Sequence, residues 1–97
     1  MTDPSRHGVL RVVLAGDLDF ASNAETAAKL AAALESGVDV EVDLSDVRFM
    51  DSDAIGVLLR ARRLAVDRGR RLQITQMSES VRYVFALMGL TELMTGR

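Results

Sequence analysis

The chain has 97 residues, of which 48% are hydrophobic and 27% are charged, and its formal net charge is -2. This length suits one small domain with a single core, and the composition is typical of a globular protein rather than a disordered or fibrous one. The small net charge argues against nucleic-acid binding by the whole domain, and the absence of cysteine excludes disulfides and thiolate metal sites. No apolar run approaches the roughly 20 residues that cross a bilayer. We therefore expect a cytoplasmic protein without membrane insertion.

Strand and helix patterns alternate along the chain. Branched residues predict a first strand, Ser22 followed by Glu25 has the spacing of a capping box, and valines alternating with acids after Gly37 predict a second strand. Ser78 is the predicted cap of the last long helix, and Gly89 ends it. The predicted elements are a strand over residues 9–14, a helix over 22–35, a strand over 38–44, a short connection over 45–47, a helix over 52–68, a strand over 71–75, a helix over 78–88 and a short turn around residue 93.

This alternation predicts an α/β domain. Strands joined by helices favour right-handed crossovers and parallel pairs covered by helices, with room for one antiparallel pair at an edge. In such folds, functional sites gather where strand ends meet helix starts. The stretch FMDSDAIGV, residues 49–57, lies at such a junction.

Helical spacing divides the residues from Ser52 onward into two sides. The predicted core side consists of Ala54, Ile55, Leu58, Ala61, Ala65 and Val66. The opposite side consists of Ser52, Asp53, Gly56, Arg60, Arg63 and Asp67. A glycine within a helix lowers stability by about 0.5–1 kcal/mol relative to alanine, so Gly56 on the solvent side suggests that a partner approaches the backbone there.

Ser52 has two compatible interpretations. Ser52 is expected at the N-cap or in the first turn of this helix, where a serine is most simply a cap. The same position also suits a phosphate, because free backbone N–H groups and the helix dipole stabilise an anion there. A phosphoserine would add about -1.5 to -2 charges beside Asp51 and Asp53.

Four segments, taken in order, resemble the STAS domains (sulfate transporter and anti-sigma factor antagonist), and most closely the free-standing anti-sigma factor antagonists of bacteria. The segments are LAGDLDFAS (14–22), VDLSDVRFMDSDAIGVLLRARRLA (42–65), RGRRLQI (68–74) and SESVRYVFALMGLTEL (78–93). The resemblance implies a single domain over residues 1–97, with a roughly four-stranded mixed sheet and about four helices. Residues 1–7 are then flexible or a short edge strand.

The resemblance also implies a function. In the family, an antagonist binds an anti-sigma factor that is an ATP-dependent serine kinase, and this frees the sigma factor. The kinase phosphorylates the antagonist and releases it, and a phosphatase reverses the change. The phosphorylated serine of the family corresponds to Ser52. The predicted partner-binding residues are Asp17, Asp19, Asp51, Ser52, Asp53, Gly56, Arg60 and Arg63. The protein itself needs no cofactor or metal, has no catalytic residue, and is expected to be a monomer or weak dimer.

Two positions depart from the family pattern. Asp53 stands where serine or threonine is usual, and Ala54 stands where glycine is usual. A permanent carboxylate beside Ser52 would partly imitate phosphate or repel the nucleotide of the kinase, whereas Ala54 faces the predicted core.

Two other classes of function stay open. One is a STAS scaffold that uses no phosphorylation, for example a subunit of a lipid-transport ATPase or of a stress-sensing assembly, which the departures at Asp53 and Ala54 favour. The other is an enzyme in which Asp17, Asp19, Asp51 and Asp53 bind Mg²⁺. The sequence offers little support for that enzyme, because no second basic group beside the only lysine, Lys29, is placed to stabilise a transferred phosphoryl group.

Overall fold

A computed structural model describes residues 8–96, which form three strands and four α-helices. The elements are β1 (Val9–Leu18), a short 3-10 turn (Phe20–Ser22), α1 (Asn23–Leu34), β2 (Asp39–Met50), α2 (Ser52–Asp67), β3 (Leu72–Met77), α3 (Glu79–Leu87) and α4 (Thr91–Thr95). The predicted α/β class and the number of helices are confirmed.

The strands form one sheet in the order β1-β2-β3, and both neighbouring pairs are parallel. Each strand is joined to the next by a helix, which returns the chain to the same end of the sheet before the next strand begins. The prediction of a four-stranded mixed sheet is therefore wrong for residues 8–96, because helical crossovers leave no antiparallel pair among them. The edge strand or flexible segment predicted for residues 1–7 lies outside the described residues.

β1 and β2 are longer than predicted, and their additional residues carry both strands to the start of α2. β2 continues through the predicted connection at residues 45–47 and ends at Met50, which pairs with Leu18. The register between β1 and β2 shifts twice along this stretch. Burial in β2 also changes from every second residue to every third residue, at Leu44, Val47 and Met50. The period-two signal is lost at these irregularities, which explains why the sequence pattern ended the strand too early.

The helix starts confirm one predicted cap and correct another. The Val81 N–H donates to the Ser78 hydroxyl at 3.3 Å, so the predicted cap of α3 is confirmed. The predicted capping box of Ser22 with Glu25 is wrong, because Ser22 bonds backwards to Asp19 across the 3-10 turn. The Asp19 N–H donates to the Ser22 hydroxyl at 3.0 Å, and the Ser22 N–H donates to the Asp19 carboxylate at 3.2 Å.

The core side of α2 follows the helical spacing. Five of the six predicted core residues are buried: Ala54, Ile55, Leu58, Ala61 and Ala65. Val66 was predicted wrongly, because it is 52% exposed, and Val57 is buried although the pattern did not select it. The buried residues of α2 belong to one core with strand residues such as Val42 and Ile74, which leaves the opposite side of α2 available to solvent or to a partner.

Asp43 of β2 is a buried acid held by two neighbours. The hydroxyl and the N–H of Ser45 donate to its carboxylate at 2.6 Å and 2.8 Å, and Arg11 of β1 forms an ion pair with it. The hydrogen bonds from Ser45, followed by the guanidinium of Arg11, lower the pKa of Asp43 from 3.8 to about 2. The ionised carboxylate therefore stabilises the fold more than its protonated form does.

The Asp43→Asn variant should test this contribution. Because the pKa of Asp43 is lower in the folded state, its stabilisation is present above about pH 3.8 and is lost as the pH falls towards 2. We expect Asp43→Asn to lower the free energy of unfolding at pH 7 and to flatten its decline between pH 4 and 2, measured by urea unfolding. Asp46→Asn, which changes an exposed acid of the same strand, is the control. Parallel pH curves for wild type and Asp43→Asn would contradict the assignment.

Candidate partner-binding site

The ends of β1 and β2 meet at the start of α2. Leu18 and Met50 are paired at the last position of the ladder, and the Asp51 N–H donates to the Leu18 carbonyl at 3.1 Å. Parallel strands end at the same edge of a sheet, so the turn after β1 lies beside the turn after β2. This edge brings together most of the residues that the sequence analysis selected.

The Asp51 carboxylate joins these two turns. Its Oδ1 accepts from the Ala54 N–H at 2.8 Å and caps α2, while its Oδ2 accepts from the Phe20 N–H at 3.1 Å. One side chain therefore fixes the start of α2 and the turn after β1 in the same place. Asp51 has a structural role whether or not it also contacts a partner.

Ser52 is the first residue of α2 and not its cap. Its side chain is exposed, and the capping position belongs to Asp51. The interpretation of Ser52 as an N-cap is therefore wrong, and the hydroxyl has no hydrogen-bond partner among residues 8–96. The N–H groups of Ala54 and Ile55 are bonded to Asp51, which leaves those of Ser52 and Asp53 without a partner within the same range.

The other acids of this edge have separate local contacts. Asp17 forms an exposed ion pair with Arg48 at 3.4 Å, and Asp19 closes the 3-10 turn. Asp53 is exposed in the first turn of α2. The carboxylates do not converge as the Mg²⁺ hypothesis requires, and no group of three or more potential ligands that could hold a metal ion occurs within the described part of the chain.

Gly56 and the two arginines continue the exposed side of α2. The guanidinium of Arg60 lies over Gly56, where an added Cβ would be 3.3 Å from Arg60 Nη1. Arg63 pairs with Asp67 at 3.4 Å. At about 1.5 Å per residue, Arg63 is roughly 16 Å along the helix from Ser52. The structure thus groups Gly56 with the acidic edge and places Arg63 well away from it.

Sequence reasoning did not select two exposed aromatic residues at this edge. Phe20, which follows Asp19, is 79% exposed, and Phe49, which pairs with Asp17, is 52% exposed. A large apolar residue is expected to be buried, so its type alone gives no signal of a surface position. For Phe49, the irregular register of β1 and β2 also removed the alternation that would have indicated an exposed position, and Phe20 lies in the 3-10 turn, where strand alternation does not apply.

Asp51→Ala should destabilise the fold more than Asp53→Ala. The first substitution removes the cap of α2 together with the bond to Phe20, and loss of a cap lowers stability by about 0.5–2 kcal/mol. The second removes only a favourable interaction with the helix dipole, about 0.3–1 kcal/mol. Urea unfolding of both variants at pH 7 provides the measurement. Equal losses would show that the bonds of Asp51 contribute little.

No helix within residues 8–96 is long and apolar enough to span a bilayer.

The family model described as "Mlab, STAS domain" matches residues 1–95. The anti-sigma-B factor antagonist of Bacillus subtilis (strain 168) is 30% identical over 84 residues, which cover 87% of this chain and 77% of the relative.

A solved structure of the anti-sigma factor antagonist SpoIIAA in its unphosphorylated form superposes with a TM-score of 0.67. The two chains are 30% identical, and the match covers 86% of this chain and 74% of SpoIIAA. These relatives are regulators, in agreement with the prediction that the protein is not an enzyme. Matched by a family model over nearly all of its length, the chain belongs to the STAS domain family.

Proposed function

We propose that this protein is an anti-sigma factor antagonist that binds an anti-sigma factor serine kinase and is switched off by phosphorylation of Ser52. Binding removes the anti-sigma factor from its sigma factor, and a phosphatase acting on phosphorylated Ser52 restores the active form. Phosphorylation of Ser52 takes place in the cytoplasm, and the kinase binds the ATP that it uses. The observation that carries this proposal is the exposed Ser52 hydroxyl, which has no hydrogen-bond partner among residues 8–96 and follows an Asp51 that already caps α2.

The local geometry suits the chemistry of the switch. The kinase would transfer the γ-phosphoryl group of ATP to Ser52 Oγ, with ADP leaving and the hydroxyl proton passing to a base of the kinase. The N–H groups of Ser52 and Asp53 and the dipole of the 16-residue helix favour an anion at this position. The product keeps the Asp51 cap intact, so modification changes the charge of the surface without removing a support of the fold.

Charge explains why phosphorylation would release the partner. The phosphate adds about -1.5 to -2 charges to an edge that already carries Asp19, Asp51 and Asp53. A partner surface that fits the unmodified edge would have to desolvate this phosphate, and acidic groups on the partner would be repelled. The relatives support the same role, since both are anti-sigma factor antagonists.

The two departures from the family pattern differ in their consequences. Ala54 is 1% exposed, so its methyl group is absorbed by the core, as its helical position predicted. Asp53 is exposed beside Ser52 and adds a permanent negative charge. This charge favours the alternative of a STAS scaffold that is not phosphorylated, such as a subunit of a lipid-transport ATPase or a stress-sensing assembly. Copurification with a transporter ATPase instead of a kinase would support that alternative.

Mass spectrometry after incubation with ATP and the cognate anti-sigma factor kinase tests the modification. We expect one added phosphate in the wild type and none in Ser52→Ala. Ser80→Ala is a matched control, because Ser80 is also exposed in the first turn of a helix behind a separate cap, Ser78. Phosphate on Ser52→Ala, or none on the wild type, would refute the proposed switch.

Gly56→Ala tests the close approach of the partner to α2. The substitution should raise the free energy of unfolding by about 0.5–1 kcal/mol, because alanine favours the helix and the contacted Arg60 guanidinium is the end of a flexible side chain. We expect the same methyl group to weaken kinase binding about tenfold, equivalent to about 1.4 kcal/mol. Urea unfolding and calorimetric titration measure the two effects. Unchanged affinity in a stabilised variant would show that the partner does not approach Gly56.

A further inference from the structure

The protein places two of its three phenylalanines on the surface at the same edge of the sheet. Phe85 is fully buried, whereas Phe20 and Phe49 are 79% and 52% exposed. The fold therefore forgoes the favourable burial of two large aromatic side chains in one region. Single exposed apolar residues are common, but two aromatic residues beside a candidate modification site indicate a surface that another molecule covers.

Both phenylalanines are held by the bonds that define the edge. The N–H of Phe20 donates to Asp51, and Phe49 lies in β2 opposite Asp17, two residues before Asp51. Their backbone positions are therefore set before any partner arrives. Ordered anchors lose less conformational entropy on binding than residues of a mobile loop.

We infer that Phe20 and Phe49 are the apolar anchors by which this protein binds its anti-sigma factor kinase, an inference that rests on the proposed function. Buried aromatic residues provide a large share of the affinity in protein interfaces, and neighbouring polar groups surround them and exclude water. Here the surrounding groups are mostly acids. The complementary surface of the kinase has apolar pockets for two aromatic rings and a basic border.

The charges around the anchors support this choice of partner chemistry. Asp19, Asp51 and Asp53 lie on the two turns that present Phe20 and the end of β2. Two cations lie near them: Arg48 contacts Asp17 at 3.4 Å, and the Arg60 guanidinium lies over Gly56 on the next turn of α2. Arginine or lysine side chains on the kinase would compensate the remaining negative charge and orient the encounter.

The two anchors also explain how phosphorylation of Ser52 would weaken binding of the kinase. A surface that covers Phe20 also lies close to Asp51, whose neighbour in sequence is Ser52. Pressing an apolar pocket onto the anchors would remove water from a phosphate at Ser52, which is strongly unfavourable for a charged group. Phosphorylation then opposes the contact that provides the affinity, without any change of fold.

Calorimetric titration of the purified kinase with Phe20→Ser, Phe49→Ser and the double variant tests the inference. We expect each single variant to bind at least about tenfold more weakly and the double variant at least about a hundredfold more weakly. Tyr83→Ser is the matched control, because Tyr83 is an aromatic residue that is 66% exposed on α3, which contributes no residue to the site. Urea unfolding should show that all four variants remain folded.

Affinities of the two phenylalanine variants within about twofold of the wild type would overturn the inference while leaving the proposed function intact. Equal losses in Tyr83→Ser would also overturn it, since the effect would not be specific to the edge. Absence of binding by the wild type would refute the proposed function together with the inference. Weak binding by the double variant, with Ser52 still phosphorylated at high kinase concentration, would support both the inference and the proposed function. Affinity that does not fall as salt rises would contradict the basic border of the kinase.

Discussion

The arrangement of the candidate site depends on the Asp51 carboxylate. Its two oxygens accept from Ala54 at 2.8 Å and from Phe20 at 3.1 Å, so one side chain holds the start of α2 against the turn after β1. Because Asp51 occupies the capping position, the serine that follows it is not needed by the fold. The Ser52 hydroxyl has no hydrogen-bond partner among residues 8–96 and lies at the start of a helix, the end that favours anions, so its modification would remove no bond that supports the fold. In the proposed mechanism, Asp51 supports the fold and the adjacent Ser52 regulates binding.

The exposed surface around this carboxylate combines three properties that the proposed interface with the kinase would use. The aromatic side chains of Phe20 and Phe49 provide apolar area, the acids provide charge, and Ser52 provides a position where charge can be added. The rest of the molecule supports this edge: buried residues of α2 hold the helix on the sheet, and Asp43 with Arg11 and Ser45 ties β1 to β2 further along the strands. A change of charge at one hydroxyl can then alter binding while the core stays unchanged.

Periodic elements of the fold could be predicted from the sequence, whereas irregular ones could not. Helical spacing identified five buried residues of α2, and the Ser78 cap followed from its position before an apolar run. The register shifts between β1 and β2 have no signature in residue type, so the strand ends and the exposure of Phe49 were missed. The family resemblance led to the prediction of Ser52 as a modification site, and the cap of α2 was assigned to Ser52 instead of Asp51. Adjacent Asp and Ser residues are both good caps, and only the geometry of the turn decides between them.

The most direct test of this account compares the affinity of the anti-sigma factor kinase for two forms of the protein, unmodified and fully phosphorylated at Ser52. Isothermal titration calorimetry with both forms at the same ionic strength provides the measurement. The account predicts that the unmodified form binds and that the phosphorylated form binds at least about a hundredfold more weakly, equivalent to about 2.7 kcal/mol. Equal affinities would contradict it, because the phosphate would then have no effect on the surface that Asp51 organises.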